Sequence, residues 1–477
     1  MMLRELFDTT TETIEVKGLT ADSRKVEPGY VFAALKGVVA DGRDYIPSAL
    51  ERGAVAVLGE DLPLGLPVPS IEVEEPRLAL ANAAAKLYPA QPTRMVAVTG
   101  TNGKSSTVDF LRQIWTFAGL PAASMGTLGA IGPNGAIDLG HTTPDPVAIH
   151  QTLEQLSTDG VSHVAMEASS HGLEQFRLHG VRLAAGAFTN LTQDHLDYHP
   201  TFEDYRNAKL RLIRELVPPG APMVINADSP EKTAFEAAAR DKGLNVISVG
   251  WRGEDLKIAE LMPSATGQKL FLKWRGEEAT VNLPLIGEFQ ALNALTAAGM
   301  ALSLGLDLAT VCNAMEALVT VKGRLEFVGK TPEGAGVFVD YAHTPDGLDV
   351  LLRAARPHTA GDLFVVFGCG GDRDPYKRSK MGEIAVKQAD RVIVTDDNPR
   401  SEDPASIRKA VLEGAIGAQE IGDRAAAIQT AVSMLKQGDT LLIAGKGHET
   451  GQIIGDKILP FSDQDTALSA LHGELTA

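Results

Sequence analysis

This sequence predicts an α/β protein of roughly three domains built on parallel sheets, and three observations carry that reading. The chain has 477 residues, and domains average about 150 residues. Short, continuously apolar runs alternate with helix-like segments through most of the chain, the pattern of strands covered on both faces. Nearly every run ends in small or polar residues, and the carboxyl ends of open parallel sheets are where ligands gather.

The first 90 residues hold the β-like runs "YVFAAL" and "AVAVLG" and the helix-like "RLALANAAAKLY". The stretch "PAQPT" (89–93) is a proline-containing break and a natural domain boundary. Beyond it come the apolar runs "MVAVTG", "HVAME", "GAFTN" and "MVIN". After "KGRLEFVG" the pattern restarts with "GVFVDYAH", "LFVVFGCGG", "RVIVTDDN" and "TLLIAGKG". Domains over 1–92, 93–326 and 327–477 are expected from these breaks.

Composition narrows the function classes. With 44% hydrophobic and 22% charged residues the chain has ample material for a core. The net charge of −17 argues against nucleic acid or an anionic membrane surface as partner. An anionic substrate therefore needs local arginine, lysine, metal or helix-end charge. Two cysteines, Cys312 and Cys369, make no disulfide framework and fit a reducing compartment. The opening "MMLRELFDTT" lacks the apolar core of a signal peptide, and no run of 18 apolar residues occurs. A cytoplasmic protein is expected.

The stretch "VAVTGTNGKSSTVDFL" (96–111) runs from an apolar strand through a glycine-rich turn into a helix. That is the context a phosphate loop requires. Gly100 and Gly103 let the backbone curl, and the N–H groups of Thr101 and Asn102 can then face an anion. Lys104 can reach terminal phosphates, while Ser105 and Ser106 open a helix whose N-terminus favours negative charge. Ser105 can also ligate Mg²⁺. Val98 stands where the full motif has its first glycine. The spacing points to a nucleoside triphosphate.

Four of the last strands end in "DYAHTPD", "GCGGDRD", "DDNPR" and "GKGHE". Alone, Asp397, Asn398, Pro399 and Arg400 read equally well as a turn, since Asn-Pro marks one. Four such ends in one domain favour a ligand cleft.

Taken together, "GTNGKSST", "MEASSHGLEQFR", "TNLTQDHLDYH", "KGRLE", "DYAHTPD", "GCGGDRD", "DDNPR" and "GKGHE" resemble the Mur ligases, from "LTADSR" (19–24) to "FSDQDTA" (461–467). The resemblance implies a UDP-binding N-terminal domain, a central P-loop ATPase and a Rossmann-like C-terminal domain that receives an amino acid. It also implies a reaction: ATP phosphorylates the glutamate side chain of UDP-N-acetylmuramoyl-L-alanyl-D-glutamate, an incoming amine attacks the acyl phosphate, and ADP and phosphate leave. Folate coupling by a folylpolyglutamate synthetase, which shares the ATPase logic, is disfavoured by the Thr142–Thr143 pair, "SSHGLEQFR" and "DNPR" occurring together. A nucleotide-binding module without catalysis is disfavoured because Lys104, Glu167, His195 and Lys209 are all present.

By the same resemblance Glu167 and His195 become Mg²⁺ ligands and Lys209 a carbamylated lysine that helps position metal. From the residues alone Glu167 reads as a surface carboxylate, His195 as a base or core histidine, and Lys209 as a solvated helix residue. Asn293 and Arg324 match the nucleotide's base and ribose contacts, although Gln290 stands where the family more often has Asn. Asp340 and His343 fall on the nucleotide side or take part in domain closure. Ser23 matches a UDP contact, and Val38 stands where some relatives have a polar residue near the uracil. Thr142, Thr143, Ser169, Gln175 and Arg177 match the muramoyl-peptide positions.

The third stem-peptide residue is either meso-diaminopimelate or L-lysine in this family, and "DNPR" matches the diaminopimelate pattern. Arg400 suits bidentate pairing with the extra carboxylate, while Asp397 and Asn398 can accept from the distal ammonium. Arg373, Gly445 and Glu449 match further amino-acid contacts, and Pro375-Tyr376 departs from the usual loop. The expected reaction is addition of meso-diaminopimelate, the L-lysine-adding reaction being its nearest rival. The expected chain is a monomer using ATP and Mg²⁺.

Overall fold

The computed structural model describes residues 1–37, 40–192 and 198–473. His195 and Val38, both singled out above, therefore lie outside the described residues. Two compact units emerge: Met1–Leu256 with Thr296–Asp307, and Lys257–Leu295 with the described chain from Leu308 onward.

The first unit holds two sheets. Gly18–Thr20, Tyr30–Ala34, Ala56–Gly59 and Ser70–Glu72 form a four-stranded parallel sheet. Its apolar residues pack with the helix Pro76–Leu87, whose Leu80, Ala83 and Ala84 are buried. Within this unit the strands of the larger sheet run in the order Asn245–Gly250, Pro222–Asn226, Leu183–Phe188, Arg94–Thr99, His163–Glu167, Ala122–Gly126, Gly129–Gly132, Gly135–Ile137. The first six strands are parallel and the last two turn back antiparallel. Met95 to Val98 have no exposure at all, which is why this run carries no polar alternation.

In the second unit the sheet order is Glu326–Lys330, Gly336–Asp340, Thr440–Ala444, Leu363–Phe367, Arg391–Val394, Gln419–Glu420. Only the first pair is antiparallel. Helices cover both faces, seen as two separate apolar clusters, one including Leu348, Met381 and Val411 and the other Ile428, Ala431 and Ala467. A hairpin of Gly267–Trp274 with Glu277–Leu283 belongs to this unit as well.

All eight apolar runs read as parallel strands are parallel strands here, and each delivers its polar end to a loop at the sheet's carboxyl edge. Several of the helices are capped by side chains the sequence supplies. Asp145 accepts from the N–H of Val147 and Ala148, Thr344 from Gly347, and Asp403 from Ser406. Among the described residues no helix is long and apolar enough to cross a membrane.

Candidate active site

In the first unit the loop between Arg94–Thr99 and the helix Lys104–Phe117 is the centre of the arrangement. Gly103 takes φ +83° at the helix start, and Gly100 (φ +152°) passes so close to the next strand that a Cβ there would meet Thr189 Oγ1 at 2.0 Å. Only glycine fits that approach. The loop is laced to residues 189–192. Thr189 Oγ1 donates to the Asn102 carbonyl at 2.6 Å, Asn190 Oδ1 accepts from Asn102 N at 3.0 Å, and Thr101 Oγ1 donates to the Thr192 carbonyl at 3.1 Å. Such ties fix the backbone before any anion arrives.

Lys104 Nζ folds back onto the loop, donating to the carbonyls of Gly100 and Thr101 at 3.0 and 2.8 Å. Ser105 Oγ donates to Glu167 Oε1 at 2.8 Å, and the same carboxylate takes the Thr127 N–H at 2.9 Å. Glu167 is only 3% exposed, so it is not the solvated carboxylate its sequence position also allowed. A hydroxyl and a carboxylate brought into contact beside a phosphate loop are hard oxygen donors of the kind Mg²⁺ takes.

Lys209 is likewise buried, at 1% exposure, and not on a solvated helix face. It lies on the helix Phe202–Arg211, and its Nζ reaches the Gly100 carbonyl at 2.8 Å while sitting 4.5 Å from the centre of the Tyr205 ring. Tyr205 OH in turn meets Thr101 Oγ1 at 3.1 Å. The sequence reading passed over Tyr205. Its position four residues before Lys209, on the same helix face, was the available signal.

A second group follows along the same sheet edge. Thr142 Oγ1 contacts Thr127 Oγ1 at 3.0 Å, and Thr143 Oγ1 donates to the Glu167 carbonyl while accepting from Ser169 N. Ser169 caps the short helix Ser170–Glu174. Arg177 donates to the Thr143 carbonyl and, through Nε and Nη2, to Gln175 Oε1. Thus Thr142, Thr143, Ser169, Gln175 and Arg177 form one connected network, with Glu167 joining it to Ser105. Ser23 stands apart at the start of the turn Ser23–Lys25, in the four-stranded-sheet part of the unit.

The second unit has its own convergence of loops. Asn293 Nδ2 donates to Gln290 Oε1, and Gln290 Nε2 donates to the Arg324 carbonyl at 3.1 Å. Gln290 therefore ties Asn293 to "KGRLE". The Arg324 guanidinium lies 5.0 Å from the Tyr341 ring centre. Asp340 accepts from the N–H groups of Leu325 and Ala342, both at 2.7 Å, and burial nonetheless pushes its carboxyl up from the usual range. Gly323 packs so closely on Gly447 that a Cβ would meet its carbonyl carbon at 2.3 Å.

Around "DDNPR" the network is denser. Asn398 (φ +42°) and Arg400 (φ +51°) both sit in the left-handed region, and Pro399 between them is buried. Arg400 Nη1 donates to the carbonyls of Gly371 and Asn398 at 2.9 and 3.4 Å, and no carboxylate of the described residues pairs with it. Asn398 Nδ2 donates to Glu449 Oε2 at 2.7 Å. Its Oδ1 accepts twice, from Lys446 Nζ and from Ile453 N, each at 2.9 Å. Both lone pairs are therefore taken, and the expectation that Asn398 accepts from a ligand ammonium is corrected: toward a ligand it can only donate. Gly445 (φ +122°) leaves room for Asp397, whose Oδ2 would lie 2.3 Å from a Cβ there. Arg373 is exposed at the rim.

Behind these groups, Arg424 makes a two-pronged pair with Asp463, both contacts at 2.7 Å, and donates to the Ala444 carbonyl. Neither Lys446 nor this pair was found from sequence. Lys446 lies inside the quoted "GKGHE", but nothing in the string says that a lysine there is wholly buried.

Three family models match the chain: "Mur ligase family, catalytic domain" over 15–90, "Mur ligase middle domain" over 98–301, and "Mur ligase, glutamate ligase domain" over 323–447. A protein of Bradyrhizobium diazoefficiens named UDP-N-acetylmuramoyl-L-alanyl-D-glutamate--2,6-diaminopimelate ligase is 51% identical, covering 99% of both chains. The protein of that name from Agrobacterium fabrum is 53% identical over 98% of this chain and 96% of its own. A solved structure with the same name superposes with a TM-score of 0.78 at 32% identity, covering 99% of each chain. A folylpolyglutamate synthase of Mycobacterium tuberculosis shares the fold over 77% of this chain and 92% of its own, with a TM-score of 0.62 and 20% identity.

Proposed function

Since the chain belongs to the Mur ligase family and has its three-domain α/β architecture, we propose that it adds meso-2,6-diaminopimelate to UDP-N-acetylmuramoyl-L-alanyl-D-glutamate, with ATP driving the coupling, in cytoplasmic peptidoglycan precursor synthesis. The full-length similarity to diaminopimelate ligases carries the reaction. The observation that best supports the choice of amino acid is Arg400, a guanidinium held by backbone carbonyls alone in a left-handed turn.

Mur ligases use ATP and Mg²⁺. Gly100–Ser106 supply the phosphate cradle, and Lys104 exchanges its two loop carbonyls for phosphate oxygens when ATP enters. Ser105 and Glu167 would hold Mg²⁺, with His195 and a carbamylated Lys209 as the family-implied partners. The metal supplies charge neutralisation where several anionic groups meet. Asn293 and Arg324 serve the nucleotide, Ser23 the UDP end, and the Thr142–Arg177 network the muramoyl-peptide. The three domains follow 1–92, 93–326 and 327–477, and the enzyme acts as a monomer.

At the far end of the incoming amino acid, Arg400 pairs with the carboxylate and Asp397 and Glu449 accept from the ammonium. L-Lysine would leave Arg400 unmatched, which disfavours it. The test supplies ATP, Mg²⁺ and UDP-N-acetylmuramoyl-L-alanyl-D-glutamate with meso-diaminopimelate or L-lysine and reads product by mass spectrometry. Product with diaminopimelate alone, and loss of that preference in Arg400→Ala, is expected. Product with lysine instead would refute the specificity, and product with neither would refute the reaction.

A further inference from the structure

The amino-acid end of the second unit contains a wholly buried lysine that the proposed ligand contacts do not use. Lys446 has no exposure, and its Nζ donates to Asn398 Oδ1 at 2.9 Å and to the Gly451 carbonyl at 2.7 Å. Asp397 Oδ1 lies 3.5 Å away and Glu449 Oε2 4.0 Å away. Burial lowers the lysine's pKa, and the neighbouring Asp397 works against that shift. Each of its near partners belongs to "DDNPR" or to the segment from 445 to 453.

We infer that Lys446 is a positioning and specificity-determining residue, acting by fixing which way the Asn398 amide faces and by cancelling one of two carboxylate charges in the pocket. The orientation follows from donors. Lys446 Nζ and the Ile453 N–H both aim at one atom of the Asn398 side chain, and only an oxygen can accept from both. The amide nitrogen is thereby turned to Glu449, with its second N–H left for a ligand carboxylate. Remove the lysine and the carboxamide loses one of the two donors that hold it.

The charge count points the same way. Arg424 and Asp463 neutralise each other at 2.7 Å. Lys446 offsets one of Asp397 and Glu449, which leaves one negative charge beside the guanidinium of Arg400, with Arg373 exposed at the rim. A group bearing one ammonium and one carboxylate complements that pair, whereas an ammonium alone complements half of it. Without Lys446 the pocket gains a unit of negative charge and favours the simple amine.

This inference rests on the diaminopimelate reading, so the experiment keeps the two separable. Steady-state kinetics of the full-length wild type, Lys446→Met, Asn398→Asp and the double variant are measured with ATP, Mg²⁺ and the UDP-linked substrate, varying diaminopimelate and L-lysine in turn. Lys446→Met should raise KM for diaminopimelate roughly 30-fold or more, the range seen when one partner of a buried, hydrogen-bonded charge pair is removed. KM for ATP should stay unchanged and the preference over lysine should fall. Asn398→Asp, which keeps the oxygen that accepts from Lys446 and Ile453 but replaces the amide donor, should lose the same preference, and the double variant should be less impaired than the product of the two single effects. An unchanged preference in Lys446→Met, or independent effects in the double variant, overturns the inference. Should Lys446→Met fail to fold, Asn398→Asp decides: an unaltered preference overturns it. A wild type that ignores diaminopimelate overturns the functional reading and this inference with it.

Discussion

Replacing Asp463 by asparagine tests how the amino-acid pocket is supported from behind. Asp463 has no exposure and Arg424 is 3% exposed, and the two share parallel contacts at 2.7 Å. Arg424 also donates to the carbonyls of Ala444 and Asp396, the residues just before Gly445 and Asp397. The Asp463→Asn variant would keep the shape but leave the guanidinium without its paired carboxylate and with one acceptor replaced by a donor. Breaking a buried pair from one side costs about 3–5 kcal/mol. In a unit of about 200 residues each kcal/mol moves Tm by about 2–4 °C, so the unfolding transition of this unit should fall by roughly 6–20 °C. Differential scanning calorimetry measures it directly. Replacing both partners by leucine should recover much of the loss, because the cost lies in the stranded charge. A single variant melting within about 2 °C of wild type would refute the argument that this pair carries buried, uncompensated charge energy.

Two further outcomes follow from other parts of the molecule. Gly100→Ala forces a Cβ to within 2.0 Å of Thr189 Oγ1 and 3.0 Å of the Asn190 carbonyl, so the phosphate loop must shift; kcat/KM for ATP should drop at least tenfold with thermal stability nearly kept, and an unchanged value would mean the loop is not the nucleotide site. His358 accepts from Gly287 N and donates to the Ser264 carbonyl as a neutral ring, and burial lowers its pKa from 6.5. The unfolded chain therefore binds the proton first, and this contribution to stability is present above pH 6.5 and lost as pH falls below it. Urea midpoints at roughly pH 5 and pH 7.5 should differ less in His358→Gln than in wild type; equal differences would refute the assignment.

Much of the architecture was written in the chain. The parallel strands were legible because a strand buried on both faces needs an unbroken apolar run, and "MVAVTG" or "LFVVFGCGG" has no other use for one. The loop geometry was legible at Gly100 and Gly103, since an anion cradle demands backbone that only glycine adopts freely. The turn at Asn398-Pro399 could also be read, though as a turn or a cleft with equal right.

Tertiary structure decided the rest, because burial and partners are relations between distant segments. Glu167 and Lys209 look like solvent-facing charges in a one-dimensional pattern, yet they come together at the Gly100 loop from strands and helices far apart in sequence. Asn398 could accept or donate until Lys446 and Ile453, about fifty residues on, claimed its oxygen. Residue types fixed which chemistries were available to this protein; the packing of "GKGHE" against "DDNPR" settled which atoms remain for a ligand, since a hydrogen-bonding group already satisfied within the fold has nothing left to offer.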